Sequence, residues 1–131
     1  MNSEGYREIL GICEGAKETK SGWSAFLKHL KERGLKGVRL IISDACLGLA
    51  ESAAEFFPNA VWQRCVVHWY RNILSQVPAT KVREIAAMLK VIHASEDIVA
   101  AREKAVRAIE KLRTLRLTKA AEFVERTSKR R

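Results

Sequence analysis

The sequence predicts an α/β fold, in which a few-stranded sheet with flanking helices is followed by an α-helical segment. Short β-branched runs alternate with stretches whose apolar residues recur at helical spacing, an order typical of α/β layers. The strand-like runs stop near Pro78, and Ala/Lys/Glu/Arg-rich helical patterns follow. We therefore divide the chain into a sheet-bearing part, residues 1–78, and a helical part with a basic C-terminal tail, residues 79–131.

The first predicted elements are a strand and an amphipathic helix. The strand covers Tyr6–Glu14 and is closed by a glycine. In the helix, Ser21 is placed to cap the N-terminus, and Gly34 is placed to adopt the left-handed conformation after the C-terminus. Apolar residues at i, i+3, i+4 and i+7 give this helix one buried face, formed by Trp23, Phe26, Leu27 and Leu30.

Two more strands complete the predicted sheet. The β-branched run Val38–Ile42 lies between two helical patterns and predicts a buried strand, with Asp44 close after it. Ala60–Arg64 predicts the third strand, with Val61 and Trp62 as its apolar anchors. The expected order is therefore β-α-β-α-β-α, followed by helices.

The remaining elements are predicted helices. The helix between the last two strands ends at Pro58, and its apolar face consists of Leu47, Ala50, Ala54 and Phe57. The next covers Cys65–Gln76, with an apolar side of Val66, Tyr70, Ile73, Leu74 and Val77. After Pro78, one helix face consists of Val82, Ile85, Ala86, Leu89 and Ile92. Another helix begins at Ser95–Asp97, where acids suit the positive end of the dipole, and a short last helix contains Ala120, Phe123 and Val124.

Composition favours an intracellular protein with an anionic partner. The net charge is +9, from 24 Lys and Arg against 15 Asp and Glu, which points first to nucleic acid and leaves a merely soluble basic protein as the alternative. The apolar runs are too short to span a bilayer, and the N-terminus does not resemble a signal peptide. The three cysteines are odd in number and widely spaced, which argues against a disulfide framework. We expect a cytoplasmic protein with no membrane partner.

Asp44 is the strongest single candidate for chemistry. A carboxylate at the carboxyl end of a central strand is held rigidly, at the sheet edge where ligand sites form in α/β proteins. Its hard oxygen atoms suit Mg²⁺ or Mn²⁺. The alternative is that Asp44 only caps the helix that follows.

Two further groups combine polar and ligating side chains near the last strand. Cys65 and His68 form a Cys-x-x-His pair, which is half of a zinc site or a structural pair of a buried cysteine and a satisfied histidine. Arg64, Arg71 and Asn72 surround an aromatic pair and suit a DNA phosphate backbone. An ordinary solvated helix face is the alternative for this second group.

Four blocks of the sequence, Gly5–Gly11, Gly37–Leu49, Phe57–His68 and Arg71–Pro78, together resemble one family, the bacterial Mutator-type insertion-sequence transposases. The stretch Gly37–Leu49 resembles the strand and helix that carry the family's second catalytic aspartate. The stretch Phe57–His68 looks like its Cys-x-x-His signature, and the blocks Gly5–Gly11 and Arg71–Pro78 also match. The four blocks occur in the family's order over roughly the first two-thirds of the chain.

This resemblance implies an RNase H-like core, incomplete in this chain, with an inserted helical domain. It makes Asp44 the second aspartate of an Asp-Asp-Glu triad that holds two divalent ions, Mg²⁺ or Mn²⁺, during in-line attack at phosphorus. Cys65 and His68 become the family's Cys-x-x-His motif, with a role in shaping the site or holding DNA. The implied partner is DNA at the transposon ends, and the implied location is the bacterial cytoplasm and its nucleoid.

The departures from the family lead to a second set of expectations. The first aspartate and the glutamate of the triad have no counterpart, Glu122 and Glu125 lie in the wrong context, and the segment from about Thr114 no longer resembles the family. We expect a truncated, catalytically incomplete copy that does not cleave DNA alone and that self-associates or pairs with an intact transposase. The alternatives are a non-catalytic DNA-binding or interfering regulator, and a structural helical interaction protein.

Overall fold

The computed structural model describes residues 1–15 and 18–128. This part of the chain contains two strands, β1 (Leu40–Ser43) and β2 (Val61–Arg64), and six α-helices. The helices are α1 (Lys20–Glu32), α2 (Leu47–Phe56), α3 (Val66–Leu74), α4 (Val82–His93), α5 (Ile98–Thr114) and α6 (Thr118–Ser128), with a 3-10 turn at Ala79–Lys81. The predicted mixed α/β class is confirmed. None of the described helices is long and apolar enough to cross a bilayer.

The chain divides into two compact units, Met1–Cys65 and Val66–Arg131, called the first and second unit below. The sequence placed the division between residues 1–78 and 79–131. Helix α3 accounts for the difference, because its buried side chains belong to the same apolar core as those of α4 and α6. The assignment of residues 1–78 to a catalytic core stays a prediction, and the last three residues of the basic tail lie outside the described part.

The two strands of the first unit pair in parallel, with Leu40 opposite Val61 and Ser43 opposite Arg64. A parallel pair needs a crossover connection between its strands, and α2 provides it. Both strands therefore end at the same edge of the sheet, which places the residues after Ser43 beside those after Arg64.

The strands are less buried than the sequence predicted. Leu40 and Ile42 are 49% and 57% exposed, and Val61 is 66% exposed. The alternate position Ile41 is partly buried against the core that α1 and α2 form, as is Val38 just before β1. The predictions of a buried strand and of Val61 as an apolar anchor are wrong, since strand side chains alternate between two faces and these residues lie on the exposed one.

The strand predicted over Tyr6–Glu14 is absent from the structure. A strand needs a neighbour for its backbone hydrogen bonds, and neither β1 nor β2 pairs with this segment. The main-chain carbonyl of Leu10 instead accepts a 2.7 Å hydrogen bond from Arg33 Nη1. At Gly11 an added Cβ would lie 3.1 Å from the Leu30 side chain. The segment thus packs on α1 through side-chain contacts rather than joining the sheet.

Helix α1 confirms the predicted apolar face, with Leu27 and Leu30 buried. Its N-cap is Thr19 and not Ser21, because the Thr19 hydroxyl accepts the Gly22 N–H at 3.3 Å. The helix is followed by Gly34 at φ +98°, which is the left-handed position that the sequence predicted.

Helix α2 ends where the sequence predicted but turns a different face inward. Leu47 is 71% exposed, whereas Leu49, Ala53 and Phe57 are buried. The predicted burial of Phe57 is confirmed, whereas that of Leu47 and Ala54 is wrong because both are exposed. Small residues lie where α2 comes nearest to α1. A Cβ at Gly48 would lie 2.6 Å from the Lys20 main-chain nitrogen, so the two helices touch there.

The second unit is a helical bundle with a fully apolar centre. Its buried residues come from α3, α4, α5 and α6, and several have no exposed surface, namely Ile73, Ile85, Leu89, Leu112, Ala121 and Val124. The predicted start of α5 is confirmed, because the Asp97 carboxylate accepts the Ala100 N–H at 2.8 Å. The Glu103–Arg107 ion pair is also present, at 4.0 Å.

Candidate functional site at the carboxyl edge of the sheet

Asp44 lies directly after β1, at the edge where both parallel strands end. The register sets Ser43 opposite Arg64, so Asp44 and Arg64 are brought together by strand pairing. The Cys65 N–H extends this pairing by donating to the Ser43 carbonyl at 2.7 Å. The predicted position of Asp44 at a strand tip is therefore observed.

The Asp44 carboxylate has a cation beside it. Arg64 Nη2 lies 3.8 Å from Asp44 Oδ1, and the Asp44 side chain is 49% exposed against 20% for Arg64. An ion pair of this length at a half-exposed site adds little to stability. It leaves a half-exposed carboxylate whose charge is partly balanced by Arg64.

Ser43 fixes the backbone under this carboxylate. Its hydroxyl accepts the Trp62 indole N–H at 2.9 Å and donates to the Asp44 carbonyl at 2.8 Å. Trp62 lies on the neighbouring strand, so this bond ties the two strand ends together. Sequence reasoning missed both Ser43 and the pairing of Asp44 with Arg64, because the parallel register that creates them is not encoded locally.

The structure argues against Asp44 as a helix cap. The N-cap of α2 is Cys46, and no side chain caps the first turn there. Among the described residues, the backbone N–H that the Asp44 Oδ1 atom accepts is that of the adjacent Ala45, at 2.7 Å. A capping side chain would instead bind an N–H two or three residues into the helix. The Asp44 carboxylate therefore does not cap α2.

Cys65 and His68 fall on opposite sides of the division between the units. Cys65 is half-buried after β2 in the first unit, and His68 lies in the first turn of α3 in the second. The His68 Nδ1 atom is buried and has no hydrogen-bond partner among the described residues. The roles predicted for Cys65 and His68 stay predictions, as do those of the other site residues.

The predicted DNA-binding residues are also divided. Arg64 belongs to the first unit, whereas Arg71 and Asn72 lie on α3, with Arg71 exposed and Asn72 half-buried. The neighbouring aromatic pair is Trp69 and Tyr70. Trp69 is 9% exposed and donates its indole N–H to the Thr127 hydroxyl at 2.8 Å. Trp69 is therefore a core residue, which the helical spacing of α3 did not reveal.

The described part of the chain does not contain a complete set of metal ligands. Across residues 1–15 and 18–128, no three His, Cys, Asp or Glu side chains are grouped so that they could hold an ion. A cavity of about 970 Å³ in the first unit lies along α1 and residues 11–15 and does not include Asp44. The described residues contribute one carboxylate at the sheet edge and not a closed metal site.

The fold and site define an α/β protein with an exposed acid at the carboxyl edge of its parallel strands. The chain belongs to the Mutator family of transposases, because the model of that family, described as "Transposase, Mutator family", matches residues 1–130. The prediction that the sequence departs from the family at about Thr114 is wrong. Helix α6 lies within the match and buries Ala120, Ala121 and Val124.

Several insertion-sequence transposases are similar to this chain. The transposase for insertion sequence element IS256 in transposon Tn4001 of Staphylococcus aureus is 39% identical over 109 residues, covering 83% of this chain and 28% of the relative. The transposase for IS1081 of Mycobacterium tuberculosis is 40% identical over 97 residues, covering 74% and 23%. That for ISRM5 of Rhizobium meliloti is 39% identical over 95 residues, covering 72% and 24%. The chain thus spans about a quarter of these relatives' lengths.

Proposed function

We propose that this chain supplies the second aspartate of the triad in a Mutator transposase, with Asp44 as one carboxylate ligand of a divalent ion. The observation that carries the proposal is the placement of Asp44, which is exposed at the shared carboxyl edge of two parallel strands and caps no helix. The family match over residues 1–130 supports the residue-by-residue resemblance of this strand. An RNase H-like core in the complete transposase is part of the proposal.

Mg²⁺ or Mn²⁺ at such a site would stabilise charge on the reacting phosphate oxygens. One carboxylate does not by itself hold either ion tightly, because both ions need several oxygen ligands. We therefore propose that Asp44 shares the ion with carboxylates that other parts of a complete transposase supply, and that this chain alone does not cleave DNA. Arg64, 3.8 Å from Asp44, would keep the carboxylate oriented in the absence of the ion.

A second candidate function is a DNA-binding regulator without catalysis. The observation that favours it is the uneven charge of the two units, since residues 66–131 carry fifteen Lys and Arg against seven Asp and Glu. Residues 1–65 carry nine against eight. A basic unit of this kind binds DNA through phosphate contacts whether or not a neighbouring site is active. Association with an intact transposase would then interfere with transposition.

The test of Asp44 is a Mn²⁺ titration of the full chain followed by nuclear magnetic resonance. Paramagnetic broadening should appear first at the amides of Ser43, Ala45 and Cys46, and it should disappear in Asp44→Asn. Glu51→Gln is the matched control, because it removes one exposed carboxylate from the same unit. Broadening that is the same in Asp44→Asn and in the unsubstituted chain would refute the proposed ligand.

Cleavage is tested separately with supercoiled plasmid in Mg²⁺ or Mn²⁺. We expect DNA to be bound but not nicked by the purified chain. Metal-dependent nicking that is lost in Asp44→Asn would show that the chain is catalytic on its own, contrary to this proposal. Nicking that survives in Asp44→Asn would point to a contaminating nuclease.

A further inference from the structure

The second unit has a concentration of positive charge where α4 and α6 begin and α5 ends. Residues 79–84 and 110–119 contain only two acids, Glu84 and Glu110. They contain six exposed basic residues, called the basic end below: Lys81, Arg83, Lys111, Arg113, Arg116 and Lys119. The remainder of residues 66–128 is nearly balanced, with six basic and five acidic residues. The charge excess of the described helices is therefore local and not spread over the unit.

Tertiary contacts bring the basic end together from separate helices. The Glu84 carboxylate on α4 lies 2.7 Å from the ammonium group of Lys111 on α5 and 3.5 Å from that of Lys81. The Leu117 N–H bonds to the Leu112 carbonyl at 2.9 Å, which closes the turn from α5 into α6. The start of α4, the end of α5 and the start of α6 thus share one end of the bundle.

Neutralisation within the basic end is incomplete. Glu84 serves two lysines at once, and Arg113 pairs with Glu125 at 2.7 Å. The pKa of Glu84 is lowered, first by the hydrogen bond and charge of Lys111 and then by the charge of Lys81. Three other cations form no ion pair with the described residues, namely Arg83, Arg116 and Lys119.

Basic residues in the last turn of α5 suit its dipole, but the stability of the fold does not account for the residue types at the other four positions of the basic end. Basic side chains at the starts of α4 and α6, such as Arg83 and Lys119, oppose the positive ends of the helix dipoles. Lys81 is the N-cap of α4 and provides no side-chain cap. Arg116 has φ 60°, a left-handed conformation in which glycine is the usual residue. Each position would favour another residue if folding were the only requirement.

We propose that the basic end binds the phosphate backbone of duplex DNA. Arg and Lys side chains and the N–H groups of helix starts are the groups that contact backbone phosphates in protein–DNA complexes. The inference rests on the proposed function in one respect, that DNA is the partner. It goes further by assigning the contact to this end of the helical unit and by implying binding with little sequence preference.

The test measures the salt dependence of DNA binding by the full chain, using fluorescence anisotropy of a labelled duplex. The slope of log affinity against log salt is negative, and the double variant Arg83→Gln/Lys119→Gln should make it less steep by about two, since each lost phosphate contact removes about one from its magnitude. It should also weaken binding by about tenfold or more at 0.1 M KCl. The matched control Lys90→Gln/Arg102→Gln removes two exposed cations outside the basic end and should leave the slope unchanged.

Arg116→Gly separates a binding role from a structural one. Glycine adopts the left-handed conformation freely, so the melting temperature should stay the same or rise, while DNA binding weakens. A rise in melting temperature with unchanged binding would overturn the proposal. So would an equal loss of affinity in the two double variants, or binding to polyglutamate but not to duplex DNA. The Mn²⁺ result at Asp44 does not depend on DNA, so either proposal can fail while the other stands.

Discussion

The two units differ in how completely they bury their own apolar residues. In the second unit, Ile85, Leu89 and Leu112 have no exposed surface, whereas the most buried side chain of the first unit is the polar Ser52. The difference follows from backbone hydrogen bonding. Helices satisfy their own backbone groups and can close a core with nearby sequence, whereas a strand depends on partners that lie elsewhere.

The units also differ in what their contacts require. The Ser52 hydroxyl lies 2.9 Å from the Ser24 hydroxyl and 3.0 Å from the Lys20 carbonyl, so α1 and α2 meet through small and polar residues as well as through their apolar core. The helices of the second unit pack against one another mainly through large apolar side chains. The first unit should therefore be sensitive to added volume, and the second to lost volume.

The largest effect is expected in the second unit from Leu89→Ala. Removing a fully buried side chain leaves a cavity and should lower the free energy of unfolding by about 3 kcal/mol. Urea unfolding measures the loss, and amide hydrogen exchange should locate it in α4, α5 and α6. Val91→Ala on the same helix is the control, because Val91 is 49% exposed and should cost about 0.5 kcal/mol or less. Equal loss of protection in α1 and α2 would mean that the units unfold as one.

A smaller effect, this time in the first unit, is expected from Gly48→Ala. The new Cβ would lie 2.6 Å from the Lys20 nitrogen, so α1 and α2 must separate, which should cost about 2 kcal/mol. Protection should be lost first in α1 and α2. Gly15→Ala should have almost no effect, because an added Cβ there meets nothing within 4 Å. A stable Gly48→Ala variant with unchanged exchange would contradict the close contact.

The smallest effect concerns the basic end and depends on pH. The pKa of Glu84 is lowered by Lys111 and Lys81, so its contribution to stability is present above the unfolded pKa and is lost as pH falls through the folded one. Glu84→Gln should therefore be slightly less stable than the unsubstituted chain at neutral pH and equal to it in acid. Melting temperatures across this range test the prediction. A difference that persists in acid would indicate lost packing instead of lost charge.

Most helices were predictable from the sequence, because their signals are local. The face of α1, the Asp97 cap and the position of Gly34 all follow from residues within one or two helical turns. The strand predicted over Tyr6–Glu14 failed for the opposite reason. Its apolar residues Ile9, Leu10, Ile12 and Cys13 are typical of a strand, but the described chain offers it no pairing partner.

The candidate site was predictable only in part. Asp44 follows an apolar β-branched run, which was enough to place it at a strand tip. Its ion pair with Arg64 and the hydrogen bond between Trp62 and Ser43 were not predictable, because the parallel register brings these partners together across nineteen or more residues. The basic end was missed as well, since its residues are spread over separate helix ends and gather only when α4, α5 and α6 pack.

The sequence by itself determined the α/β class, the helix faces and caps that depend on nearby residues, and the membership signals of a Mutator transposase. Only the tertiary structure decided that α3 belongs with the C-terminal helices, that Asp44 faces Arg64, and that six cations share one end of a bundle. Local choices follow from backbone geometry within a few residues. Pairing and packing depend on distant residues whose positions no local pattern contains.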